Sequence, residues 1–230
     1  MKIDCVSIST VHNFPGNLVA EQHRLRYREV ITKEGWSDVY VMDGLEFDRY
    51  DNLATEYLVA RDEWGNVVGT MRSYPTTIPS MLSGCFNFLV TRSLPSGHTI
   101  MDLSRLVLDR TVLPKEQRKP VVHALVLASL ERGLQRGIDA YVGFMPPKIW
   151  ASTFQSAGWE PEWLGDEKTL NSGDVVRAGC VTVNEAKWKR VRSVTGITES
   201  ILSFGEGGEG SLGMAFHSHL AAGANEKATR

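Results

Sequence analysis

The stretch from Thr99 to Phe144 constrains the fold most. "TIMDLSRLVLD" is a largely apolar run that reads as a central strand. Lys119 to Gly137 then places Val121, Leu125, Ala128 and Leu134 at helical spacing, with Pro120 near the start and Gly137 where a helix would close. "IDAYVGF" follows as a short buried strand. A strand, a long one-sided helix and another strand in succession bury their apolar faces best as a sheet carrying helices.

The flanking segments extend this pattern. Residues 15–34 put Leu18, Val19, Leu25, Val30 and Ile31 on roughly one helical face, with Pro15 suited to an opening turn. "TEYLVARDEWGNVVGTMRSYP" predicts a hairpin, with strands at Tyr57 to Ala60 and Val67 to Tyr74 and a turn over Asp62 to Asn66. "PPKIWASTFQSAGW" predicts a helix closed by Gly158, and "DVVRAGCVTV" a final strand. The expected fold is α/β, a three-layer α-β-α sandwich on a mixed central sheet. From Gly205, "GEGGEGSLG" has five glycines in nine residues. We therefore expect one domain over residues 1–204 and a flexible tail over 205–230.

Composition narrows the function classes. No stretch approaches the ~20 apolar residues of a membrane span, and "MKIDCVSIST" carries an Asp inside what would be the apolar core of a secretion signal. A cytoplasmic protein is expected. A net charge of −2 gives no general reason to bind nucleic acid. Cys5, Cys85 and Cys180 are scattered and lack zinc or redox spacing, so we read them as buried thiols and expect no metal.

The polar residues that stand out are Arg26 on the first helix, Asp48 and Asp51 before the hairpin, Arg72 on its second strand, and Asp102 and Arg105 within "IMDLSRLVL". An arginine on an amphipathic helix is usually a solvated face, and Asp before a strand is usually turn chemistry. Charge inside an apolar strand is harder to place, because an unpaired buried charge is costly. These three acids and three arginines could compensate one another around a cleft, or position a zwitterionic ligand.

Taken together, "RLRYREVITKEGW", "EFDRYDNLATEYLVA", "VVGTMRSYPTTIPSML", Phe86, "DLSRLVLD" and "SAGW" closely resemble the acyl-homoserine-lactone synthases, the LuxI-type autoinducer synthases of bacterial quorum sensing. The likeness covers roughly residues 5 to 185, with the motifs in family order. It implies a fold related to the Gcn5-type N-acetyltransferases, with a V-shaped cleft in the sheet for an acyl-phosphopantetheine arm. It also implies joining of an acyl thioester to S-adenosylmethionine as co-substrate, with no tightly bound cofactor, and release of an N-acyl-homoserine lactone, methylthioadenosine and the free thiol carrier.

By the same resemblance Arg26, Trp36, Phe86 and Arg105 help hold S-adenosylmethionine, although Trp36 and Phe86 also read as plain core aromatics. Asp48, Asp51 and Arg72 fix the cleft through ion pairs, the two aspartates facing Arg72 and Arg105 instead of serving as turn residues. Ser104 contributes a hydroxyl, and backbone amides around Leu103 to Leu106 hold the oxyanion. The family usually has Glu where Asp102 stands, the favoured base or base-positioner, so that carboxylate would sit about one methylene back and work through a water. It usually has an aromatic residue where Val30 lies, which reshapes the nucleotide side of the pocket.

Met81, Leu82, Val142, Phe144, Met145 and Trp150 are expected to line the acyl tunnel, favouring a short, branched or aromatic acyl group, though core packing explains them equally well. The donor is acyl carrier protein or acyl-CoA. Lys115, Arg118 and Lys119, or Lys187, Lys189, Arg190 and Arg192, could dock an acidic carrier, or be solvated faces. Two rivals stand beside this reading: an acyl-CoA N-acetyltransferase, opposed by "LPKEQRKP" where a Gly-rich pyrophosphate loop would lie, and a non-catalytic binder of S-adenosylmethionine or an acyl carrier.

Overall fold

The computed structural model describes residues 1–33 and 40–206. The chain opens with β1 (Ile3–Val6), buried at every position, and reaches α1 (Leu18–Arg26), whose Asn17 cap accepts a hydrogen bond from the Ala20 amide. α1 then widens into a π-helical turn over Tyr27–Lys33. A small hairpin follows, β2 (Tyr40–Met42) and β3 (Leu45–Phe47). It turns through Asp43 and Gly44 at φ of 51° and 73°, the positive values that a tight hairpin turn needs and Asp-Gly supplies.

The strands β4 (Glu56–Arg61), β5 (Val67–Pro75) and β6 (Ile100–Leu108) form an antiparallel meander, and α2 (Lys115–Arg136) carries the chain to β7 (Ala140–Met145), parallel to β6. Then come α3 (Pro147–Ser152), β8 (Glu162–Trp163), β9 (Lys168–Thr169), β10 (Val175–Thr182), α4 (Glu185–Thr195) and β11 (Leu202–Ser203). The strands lie in the order β11-β1-β4-β5-β6-β7-β10-β8, with β9 beside β10. Parallel and antiparallel pairs mix in one sheet, as expected for the α-β-α sandwich.

Strand alternation separates two apolar layers. Leu58, Ala60, Met71 and Leu103 face α2, where they meet Val121, Leu125 and Ala128. Tyr57, Val59 and Val107 face α1 and meet Leu18 and Leu25. Val142 lies in a third cluster with Leu82, Leu89 and Ala178. Among the described residues no helix is long and apolar enough to cross a membrane.

β1, β2, β3, β8, β9, α4 and β11 were not anticipated from the sequence. β1 is short and interrupted by Asp4; α4 buries only Val191, so its sequence shows charge instead of a stripe; β11 is two residues long. The long helix starts at Lys115 instead of Lys119, which puts Pro120 in its second turn and forfeits a bond to the Glu116 carbonyl. "PPKIWASTFQSAGW" makes only a short helix and a tight turn, closed by Gly158 at φ 84°.

The chain's return after α4 is stitched in place by Glu131 of α2. Its carboxylate accepts from the Ser200 hydroxyl and the Ile201 amide, both at 3.2 Å. β11 then pairs in parallel with β1, and the Glu206 amide reaches the Asn13 carbonyl at 2.8 Å. The expected tail lies outside the described residues beyond Glu206, and so does Trp36.

Two irregularities shape the centre of the sheet. β6 and β7 pair only from Ile100↔Ala140 to Asp102↔Val142; beyond that rung the parallel strands part, β6 held by β5 and β7 by β10. Gly143 stands at the fork, where a Cβ would come within 2.7 Å of the Leu103 carbonyl oxygen. On the other side, the β5–β6 register passes from Arg72↔Ser104 to Thr70↔Val107, so β6 carries an extra residue. Arg105 occupies that bulge at φ 55°, a left-handed conformation that costs a non-glycine residue about 1–2 kcal/mol.

Candidate active site

The bulge turns Arg105 toward the same cluster as its neighbour Ser104. There it meets side chains from four other segments: Arg26 at the end of α1, Glu46 on β3, Asp48 and Asp51 on the connection to β4, and Arg72 on β5. Arg26 Nε is bonded to Glu46, and its two Nη atoms lie 2.8 Å from the two oxygens of Asp51. Arg72 Nη1 lies 2.5 Å from Asp48 and 3.0 Å from Asp51. Arg105 Nη2 lies 3.0 Å from Glu46 and 2.7 Å from Asp48. Arg26, Glu46 and Arg72 are fully buried, so three cations and three anions balance almost without water.

Glu46 was missed by sequence reasoning. The signal was present: it opens the same acidic segment as Asp48 and Asp51, two residues before Asp48. His23 fixes it further, since His23 Nδ1 lies 2.7 Å from the Glu46 carbonyl oxygen. Burial and the nearby Arg26 charge lower the His23 pKa to about 4, so the ring is neutral and Nδ1–H donates.

Asp48 and Asp51 do two jobs at once. Asp48 accepts from the Tyr50 amide at 2.9 Å and Asp51 from the Asp48 amide at 2.9 Å, which is turn chemistry after all. Their remaining capacity goes to the arginines, and Asp51 pairs with Arg26 and Arg72. Burial would raise the Asp51 pKa, but its bonds to Arg26 and the Arg72 charge outweigh this and hold it far below the usual carboxylate range. Arg72 is likewise pushed up by Asp51 and Asp48 against its own burial, so it stays charged.

Asp102 differs from these carboxylates. It is 2% exposed and lies at the last paired rung before β6 and β7 diverge. Burial raises its pKa to about 6, opposed by the Arg72 charge and by the Tyr74 and Ser104 hydroxyls. Its Oδ1 is buried with no hydrogen-bond partner among the described residues. Ser104 Oγ accepts from Arg72 Nε and Nη2, both at 3.2 Å, which connects this carboxylate to the ion-pair cluster.

The six residues expected to line one acyl tunnel do not form one wall. Val142 and Phe144 alternate onto the α1 face with Leu82, whereas Met145 and Trp150 pack into the α2 layer, the Trp150 indole N–H donating to the Arg177 carbonyl at 2.9 Å. Met81 is drawn to the charges instead, its sulfur 3.8 Å from Arg72 Nη2 and 3.9 Å from Arg105 Nη1. Phe86 is half-buried and packs on Phe144 with ring centroids 4.2 Å apart. Val30 is buried against the α1-side core. Cys5 and Cys180 are buried, but Cys85 is exposed, because it sits on the surface loop before Phe86. Lys115 and Lys119 are exposed in the first two turns of α2, and Lys189 and Arg190 are exposed in the middle of α4; Lys187 and Arg192 are half-buried, the latter over Trp188, and Arg118 donates back to the Leu113 and Arg110 carbonyls.

The family model for autoinducer synthases matches residues 13–191. An isovaleryl-homoserine lactone synthase of Bradyrhizobium diazoefficiens is 35% identical over 162 residues, 69% of this chain and 71% of that protein. The solved structure of BjaI, a CoA-dependent acyl-homoserine lactone synthase with S-adenosylmethionine and isopentyl-CoA bound, superposes with a TM-score of 0.76 at 28% identity, covering 88% of this chain and 92% of that one. An N-acetyltransferase-like structure from Lactobacillus plantarum shares the fold alone, with a TM-score of 0.51 at 15% identity, over 80% of this chain and all of that one.

Proposed function

Because this chain belongs to the autoinducer synthase family, we infer that it makes an N-acyl-homoserine lactone from S-adenosylmethionine and an acyl thioester, with the buried ion-pair cluster and Asp102 as its working parts. The observation that carries the residue assignment is the pairing of a balanced, water-poor charge cluster with one buried, incompletely bonded carboxylate at the point where the sheet forks.

In this reading the cluster holds the amino-acid end of S-adenosylmethionine. Arg26 and Arg72 are bonded to Asp51, Asp48 and Glu46, so they set the shape of the site; Arg105, at its edge, approaches the ligand. Phe86 lends an aromatic face, and Trp36 is assigned the same role from its motif. Asp102, with a pKa raised toward neutrality, takes the proton from the substrate amine directly or through a water. The freed nitrogen attacks the thioester carbonyl, the C–S bond breaks, and the thiol leaves.

The β6 edge that faces away from β5 beyond Asp102 has no strand partner among the described residues, and its amides are the candidate donors to the developing oxyanion. The product's carboxylate then attacks its own γ-carbon and displaces methylthioadenosine. This step needs restraint of the chain more than acid or base, since the sulfonium is already a good leaving group.

We assign acyl-CoA with a short branched chain as the donor. The likeness to an isovaleryl-forming relative and to a CoA-dependent structure supports this, as does the Phe86–Phe144 contact, which narrows the α1 side of the fork. The protein works in the cytoplasm, where both substrates are made. Purified protein given S-adenosylmethionine and a panel of acyl-CoA and acyl-carrier donors should release methylthioadenosine and a lactone detectable by mass spectrometry. Turnover with acyl-carrier donors only would overturn the donor assignment, and turnover with an unrelated amine but not with S-adenosylmethionine would favour the acetyltransferase.

A further inference from the structure

Tyr74 lies directly opposite Asp102 across the β5–β6 ladder, on the same face of the sheet, and is fully buried. Its hydroxyl oxygen accepts the Met81 amide at 3.2 Å, so its own proton is left to donate elsewhere. The ring cannot swing away: it stacks on Tyr50 with centroids 5.7 Å apart and planes 10° from parallel, and the Arg72 guanidinium lies 5.3 Å from its centroid.

We propose that the Tyr74 hydroxyl is the positioning group for Asp102, holding the shorter side chain in place and leaving Oδ1 as the oxygen that meets the substrate amine. This rests on Asp102 being the base. The charged and polar groups facing that carboxylate are Arg72 and Tyr74 on β5, Ser104 on its own strand and Asp48 on the connection to β4. Three of them favour its ionised form; Asp48 opposes it. Tyr74 and Arg72 both reach the Met81 loop, Tyr74 through the Met81 amide at 3.2 Å and Arg72 through the Met81 sulfur at 3.8 Å.

The test is Tyr74→Phe, which keeps the ring stack and removes the hydroxyl, assayed in the full-length protein with S-adenosylmethionine and the best acyl-CoA of the panel. We expect kcat to fall by about tenfold, KM for S-adenosylmethionine to hold, and the acidic limb of the rate profile to move to higher pH. In an Asp102→Asn background the same change should have no further effect on kcat. A wild-type rate and profile in Tyr74→Phe, with Asp102→Asn inactive, would overturn the inference while leaving Asp102 as the base. Full activity in Asp102→Asn would remove the base itself and this inference with it.

Discussion

Glu46 places one carboxylate oxygen 3.0 Å from Arg105 Nη2 while its other oxygen is bonded to Arg26, so one buried acid serves cations from α1 and from the sheet bulge. Neither arginine can be moved into water without rearranging the fold around it. Glu46→Ala leaves both short of a counter-charge, and we expect a loss of roughly 3–5 kcal/mol in urea unfolding. A midpoint equal to that of the wild type would show that the cluster contributes nothing to stability.

Arg105→Ala should behave differently. Alanine leaves a gap at the 6%-exposed Arg105 side chain and one cation fewer in the cluster, but Glu46 and Asp48 keep Arg26 and Arg72 as partners, so the fold should persist by circular dichroism. Lactone formation should drop by about a hundredfold or more. Wild-type rates would take Arg105 out of the site.

The two kinds of carboxylate predict opposite pH dependences. Asp51 titrates lower folded than unfolded, so its contribution is complete above its ordinary 3.8 and is lost as pH falls through the folded value. Asp102 titrates higher folded, near 6 against 3.8, so ionising it costs stability as pH rises between those values. Asp102→Asn should therefore be more stable than the wild type at pH 7, by on the order of 2–3 kcal/mol, and equal to it near pH 4. Denaturant midpoints at the two pH values read this directly; an unchanged difference would show that Asp102 is not held in a costly ionised state.

Gly143→Ala tests the fork. The added Cβ meets a backbone oxygen, which cannot turn aside as a side chain can, so β6 and β7 must shift where the thioester is assigned. We expect kcat/KM for the acyl donor to fall with S-adenosylmethionine affinity retained by calorimetry. Equal turnover would place the acyl carbonyl elsewhere.

Phe144→Ala removes the partner of Phe86 on the α1 side of the fork. Competition assays with acyl-CoA mixtures should show preference moving toward longer chains. A preference unchanged by Phe144→Ala and altered by Met145→Ala would assign the acyl group to the α2 layer.

The central architecture was legible because strong local signals agreed with the final packing. The β4–β5 hairpin had alternation and a turn at both levels, and the strand–helix–strand run from Ile100 to Met145 had length and periodicity to spare. Charge inside the apolar β6 strand pointed to a network, and Arg26, Asp48, Asp51, Arg72 and Arg105 do converge. What could not be read was the geometry that sorts side chains by face. No sequence signal places a bulge at Arg105 or ends the β6–β7 ladder at Asp102, and without those registers Met145 and Trp150 look like neighbours of Val142 and Phe144. Short elements such as β1 and β11 escaped for a different reason: they are held by partners distant in the chain, β1 by β4 and β11 by β1, not by their own composition.

That last pairing has a temporal side. Ile3 lies beside Leu202, so during synthesis β1 waits for about two hundred further residues before one of its borders is covered. Until Ser200 and Ile201 reach the Glu131 carboxylate, a nascent chain carries an open, sticky margin that invites association with its neighbours. Yield of native protein during translation should therefore be governed by this late zippering event, remote from any chemistry the finished molecule performs.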